Sequence, residues 1–229
     1  MGLPFSHDQF LDVFGAYNTA LWPVVILFWV VTVWLVVRWL RRADLSGRMF
    51  LGALAAQWAW SGIAYHWFFF RSINPAAALF AVLFILQATI FAWLAVAARS
   101  RAIVSLDLRG IIGGGFVLYG LAYPFIGLSL GLEYPRVPLF AVPCPTTLIT
   151  AGFLLTAVDV PRLASVVPIL WAFVGSTAAF ALGIRADLPL LAAGLLVALD
   201  TIAPSALGAK QPDTRLQSSA AAGIMSRRG

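Results

Sequence analysis

The sequence predicts an all-α integral membrane fold with seven transmembrane helices, and three observations carry that prediction. Hydrophobic residues make up 62% and charged residues 10% of its 229 residues, with a mean hydropathy of +0.93. A soluble globule of this length needs far more polar surface, so the bilayer has to act as solvent. Apolar runs occupy 20–40, 49–70, 76–97, 110–131, 138–158, 163–183 and 187–205, each near the length that crosses ~30 Å of hydrocarbon. Finally, lysine and arginine alternate between loops, 12 on one side and 3 on the other. The positive-inside rule then sets the N-terminus outside and the C-terminus in the cytoplasm, which requires an odd number of spans. Helices are expected because an open sheet would leave backbone polar groups unpaired in lipid.

Residues 1–19 read as an outer interfacial helix: Ser6 and Gln9 form a capping box, and Phe10, Leu11, Phe14 and Tyr17 share one face. The first basic residue is Arg38, so no removable signal peptide is read and the first span is retained. Span 2 ends on Tyr65 and His66, and span 3 opens after Asn74. Their mid-span polar residues, Gln57 and Gln87, are expected to hydrogen-bond between helices. Span 4 carries Gly110, Gly113, Gly114, Gly115, Gly120, Gly127 and Gly131, including Gly127-x-x-x-Gly131, a composition for close helix packing.

Span 5 is the most unusual segment. Pro138, Pro143 and Pro145 interrupt the helical ladder, because proline lacks an N–H and fixes its own φ. A regular helix is expected from Pro145, leaving its first N–H groups and the hydroxyls of Thr146, Thr147 and Thr150 facing the outer half of the membrane. In span 7, Asp200 follows Asp187 closely. An intramembrane carboxylate costs about 2.5–3.5 kcal/mol on insertion scales and reads as an ion-coupling group. Alternatively the span ends there, before Pro204 and Ser205, with Asp200 at the headgroups. The tail, 206–229, is rich in Ala, Ser and Gly with four basic residues and reads as a disordered cytoplasmic segment.

At an offset of 113 residues the chain echoes itself: Trp58-Ala59-Trp60-Ser61-Gly62 meets Trp171-Ala172-Phe173-Val174-Gly175, and Asn74 meets Asp187. Spans 1–3 and 5–7 run in the same sense, so a 3+1+3 parallel repeat is one reading. Coincidence among helices drawn from few residue types is the other.

No phosphate loop, catalytic triad or paired metal motif is legible, and no cofactor is predicted. The net charge of +6 sits in loops beside spans, where orientation explains it better than nucleic acid. The sole cysteine, Cys144, excludes an intramolecular disulfide, and the sole lysine, Lys210, lies in the tail, where no rhodopsin Schiff base forms. The orientation gathers Tyr65, His66, Asn74, Cys144, Thr146, Thr147 and Asp187 on the outer side as candidate ligand-binding residues. His66, Glu133 and Cys144 are the donor types for a zinc or copper site, although they lack ligand spacing.

Three readings follow. The leading one is a permease for a small solute or ion, with a polar pocket opening outward. A membrane-embedded metal-handling protein or enzyme, and an accessory subunit packing its aromatic surface on a second copy or another membrane protein, are the alternatives. A pocket reaching the membrane midplane favours transport; a solid core with a long apolar groove favours the accessory role.

Phe10-Leu11-Asp12-Val13-Phe14-Gly15-Ala16-Tyr17-Asn18 with Trp22-Pro23, then Ile73-Asn74-Pro75-Ala76-Ala77, then Pro143-Cys144-Pro145-Thr146-Thr147, resemble an uncharacterised family of small bacterial polytopic membrane proteins. Members of this domain of unknown function are sometimes loosely labelled permeases. The resemblance covers about residues 4–200 and implies a multi-pass protein of the bacterial cytoplasmic membrane. It carries no established activity.

Overall fold

A computed structural model describes residues 4–42, 44–97, 101–103, 107–203 and 207. The described chain is helical: α1 (His7–Arg42), α2 (Gly47–Trp60), α3 (Ala77–Ala97), α4 (Leu108–Ser129), α5 (Pro143–Thr156), α6 (Leu163–Leu182) and α7 (Pro189–Ile202). Between α2 and α3 the chain continues as a π-helix, Ser61–Phe69, and a 3-10 turn, Phe70–Ser72. One departure from an all-helical chain is a small antiparallel sheet of β1 (Asp44–Ser46), β2 (Arg101–Ile103) and β3 (Ala157–Val158), in that order. It ties together three loops at one end of the bundle, with the backbone of β2 pairing with β1 on one side and β3 on the other. The expected tail lies outside the described residues.

Four helices, His7–Arg41, Ala77–Ala97, Leu108–Ser129 and Leu163–Leu182, are long and apolar enough to cross a membrane. Their surroundings agree. Trp22, Phe68, Val96, Phe125, Phe180 and Ile202 are all more than half exposed, an apolar exterior that water does not tolerate and lipid does. The polar residues go inward instead. This is a membrane protein turned apolar side out. At 14 residues each, α5 and α7 are only ~21 Å long, shorter than the hydrocarbon layer.

Three expectations need correction. The chain does not break at residue 19, because α1 runs unbroken through Pro23 to Arg42. Its first turns are held against the bundle: Phe10, Leu11, Phe14 and Tyr17 are buried, Asn18 donates to the carbonyls of Pro135 and Val137 at 2.6 and 2.7 Å, and Arg136 pairs with Asp8 and Asp12 at 2.8 and 2.9 Å. The expected separate helix is therefore the first part of α1, with one face packed on the bundle. Likewise, span 5 is not helical from 138: helix α5 begins at Pro143, two residues before the expected Pro145. Both prolines fit its first turn, where no intrahelical N–H is needed. Last, Gly131 lies beyond the end of α4 at φ +93° with open space around it, so Gly127 and Gly131 do not form a helix-packing pair.

Closer packing comes from other glycines. A Cβ on Gly113 of α4 would lie 2.6 Å from the Thr156 methyl and 2.9 Å from the Gly152 carbonyl oxygen of α5; one on Gly120 would lie 3.1 Å from the Pro145 carbonyl oxygen. Missing side chains let the two backbones meet. Helix α5 is thereby enclosed, with every residue buried except Cys144. Three of its four threonines satisfy themselves locally: Thr147 donates to the Pro143 carbonyl at 2.8 Å, Thr150 to the Thr146 carbonyl at 2.7 Å and Thr156 to the Gly152 carbonyl at 3.0 Å.

Both glutamines bond between helices. Gln57 donates to Thr32 Oγ1 at 3.0 Å. Gln87 donates to the Ala164 carbonyl at 3.0 Å, which is the carbonyl that Pro168, lacking an N–H, leaves open four residues earlier in α6.

Candidate functional site

A cavity of about 110 Å³ opens at the end of the bundle where α1 begins. Four elements build its polar wall. The π-helix supplies Tyr65 and His66, held close to α3 by Gly62, where a Cβ would lie 3.0 Å from Phe84 Cβ and 3.1 Å from the Ala81 carbonyl oxygen. Such π segments widen the helical turn and recur at functional sites. The first turn of α5 supplies Cys144. Beyond α6, Gly183 adopts the left-handed conformation at φ +69° and reverses the chain. The 3-10 turn Arg185–Asp187 that follows presents Asp187. The loop before α3 contributes Asn74 at the rim.

The remaining wall is mostly aromatic, including Phe5, Phe10, Phe14, Phe70, Phe80 and Trp171. His66 is fully buried, with its ring centre 4.6 Å from Phe84 and 4.9 Å from Trp171 at steep angles. Neither His66 nitrogen has a hydrogen-bond partner, and neither does Trp171 Nε1. Buried polar atoms are nearly always paired, and each exception calls for an explanation, a bound ligand or ion among them. Asp187 is 4% exposed. Its carboxylate accepts hydrogen bonds from the Tyr123 hydroxyl and the Cys144 thiol, and among the described residues no cation pairs with it.

Five of the seven candidate ligand residues, Tyr65, His66, Asn74, Cys144 and Asp187, thus line one cavity. Thr146 and Thr147 do not. Both are buried inside α5, and the Thr147 hydroxyl is spent on its own helix. Asn74 does local work as well, accepting from the Ala76 N–H at 3.1 Å to shape the turn into α3. Glu133 is exposed in the loop after α4 and away from the cavity. Among the described residues no group of three His, Cys, Asp or Glu side chains comes together, so the His66, Glu133 and Cys144 metal set is not assembled.

Asp200 lies at the opposite end, in an ion pair with Arg109; the Arg109 side chain is 3% exposed and that of Asp200 10%. It is neither bare in lipid nor splayed to the headgroups. Asp107 fixes the start of α4 by accepting from the Gly110 N–H at 2.8 Å, which holds Arg109 in the first turn. Beside the pair is a second, more polar cavity of about 170 Å³, lined by Leu154, Asp159, Arg162, Ser165, Asp200 and Thr201 among others.

Sequence reasoning missed Trp171 and Tyr123 as site residues and the Arg109–Asp200 pairing. Trp171 stood out only through the internal echo. Tyr123 carried no signal, since a tyrosine near the end of an apolar span is ordinary at a membrane interface.

No curated protein and no solved structure matches this chain. A family model matches it over residues 7–209, nearly the whole of what the resemblance had covered. The chain belongs to that family, a family of unknown function (DUF6064).

Proposed function

We propose that this protein is a seven-span permease of the bacterial cytoplasmic membrane, with its N-terminus outside, and that it binds a small solute or ion in the cavity lined by His66 and Asp187. The observation that carries this reading is the burial of His66 with both ring nitrogens unanswered, in the same cavity as the Asp187 carboxylate, which no cation pairs among the described residues. A buried ring left with no hydrogen bond calls for an explanation, and a bound solute supplies one.

Depth supports passage rather than surface binding. Trp171 lines the outer cavity ~16 Å by helix rise from the end of α6 at Leu182, and only ~9 Å from Ser165, which lines the cavity at the other end. The buried Arg109–Asp200 pair then acts as the closure of the inner side, and Asp200 serves the path through that pair. The parallel-repeat reading draws support from Asn74 and Asp187 lining one cavity and from Trp58 and Trp171 both packing on Phe84, with ring centres 4.3 and 4.9 Å away. The contrast of α1 at 36 residues with α5 at 14 weighs against it.

An accessory role has one observation in its favour, an apolar groove along Leu21, Ala59, Trp60, Ile63, Phe68 and Phe69 on the lipid-facing surface. Lipid chains fill such a groove as readily as a partner does.

Two measurements test the permease. Reporter fusions after Arg215 should be cytoplasmic and those within 132–137 external; reversal of either moves the cavity to the other face. In reconstituted vesicles, stopped-flow light scattering with a panel of small solutes should show at least one solute class entering faster than into protein-free vesicles. Equal rates for every class, with the protein folded, would refute transport.

A further inference from the structure

The outer cavity carries enough chemistry to name the class of its solute. Asp187 is the charged group in its wall, and among the described residues no cation answers it. A carboxylate offers about four lone-pair sites, and Tyr123 and Cys144 take two donors' worth of them. His66, fully buried and without a hydrogen-bond partner, adds an unused ring nitrogen that accepts a proton-bearing group when neutral. Around these stand the rings of Phe10, Phe80 and Trp171, whose faces are negative and attract cations, most strongly where water is excluded.

Charge weighs against two alternatives. An anion would meet the Asp187 carboxylate in a low-dielectric wall. A neutral apolar molecule would leave His66 without a hydrogen bond and Asp187 without a counter-charge. Resting on the reading of this cavity as a solute site, we infer that it takes a small organic ammonium ion, whose N–H groups donate to Asp187 and His66 while its carbon chain lies among the rings. The volume, about 110 Å³, is well below the ~300–1,000 Å³ of sites for drug-sized ligands, which confines the solute to a short chain.

The test compares three ligands of one shape and three charges, propylammonium, 1-propanol and propionate, by calorimetric titration and thermal shift of the purified full-length protein. Propylammonium is expected to bind about tenfold tighter than propanol, with propionate weaker than both. Asp187→Asn should erase the preference of propylammonium over propanol while keeping a cooperative melting transition; should that variant fail to fold, Trp171→Leu is expected to narrow the same preference. Equal or better binding of propanol or propionate overturns the cation assignment and leaves the solute site standing. Silence from all three ligands overturns the assignment alone if vesicles still admit another solute class, and overturns the permease with it if they admit none. Retention of the preference in Asp187→Asn also overturns it.

Discussion

Replacing His66 with phenylalanine should make the protein more stable and inactive. The imidazole is fully buried among aromatic rings with neither nitrogen bonded, and a stranded polar group of this kind costs roughly 1–3 kcal/mol. Phenylalanine is a larger ring without that cost, and the adjoining cavity of about 110 Å³ has room for the excess. The melting temperature of the variant in detergent should therefore rise, while vesicle uptake falls to the protein-free rate, because the cavity loses its hydrogen-bonding centre. A residue kept at the expense of stability is the signature of a working site. If His66→Phe melts lower than the native protein, the ring has a structural partner and the site reading loses its main support.

The largest stability effect is expected at the other end of the bundle. Arg109→Leu removes the ion-pair partner of the buried Asp200 carboxylate, and Asp200→Leu removes that of the guanidinium. Breaking a buried ion pair from one side typically costs about 3–5 kcal/mol, whereas replacing both partners with apolar residues is often neutral or stabilising. Each single variant should therefore melt well below the native protein, and the double variant should regain most of the loss. A closure role adds a second readout: the double variant should fold yet admit solute into vesicles faster, with less discrimination. Additive destabilisation in the double variant would mean that the two residues are held by other partners.

Much of the architecture was legible because lipid constrains sequence so tightly. Apolar runs marked α3, α4 and α6 to within a few residues, and the two mid-span glutamines read correctly as bridges, since an amide in an apolar helix has few other uses. The continuity of α1 was not legible. Residues 7–19 look interfacial by composition, and what holds them in the bundle, Asn18 on the Pro135 and Val137 carbonyls and Arg136 on Asp8 and Asp12, spans more than a hundred residues of sequence. Nor did the sequence mark the π-helix at 61–69, whose turn geometry leaves no periodic signature in nine mostly apolar residues.

The candidate site was partly legible because few polar residues were available and the expected orientation sorted them to one end. That sorting assigns an end of the bundle and not a direction. Thr146 and Thr147 share the correct end with Cys144, yet α5 turns them into the protein and leaves Cys144 facing the cavity. The Arg109–Asp200 pair escaped notice for a related reason. Arg109 sits one residue before the apolar run 110–131 and so reads as a loop charge, and the close packing of α4 on α5, permitted by Gly113 and Gly120, draws it inside.

Cys144 provides the most direct measurement of the central claim that a solute cavity opens to the outer side. It is the sole cysteine of the chain, and its place in the cavity wall means that any thiol label reports on that cavity. In intact cells, a small membrane-impermeant thiosulfonate bearing a trimethylammonium group should modify Cys144 and thereby block uptake, and it should do so faster, relative to the unfolded protein, than an anionic sulfonate reagent. Labelling that requires denaturation, or that occurs only from the cytoplasmic side of inverted vesicles, would contradict the account.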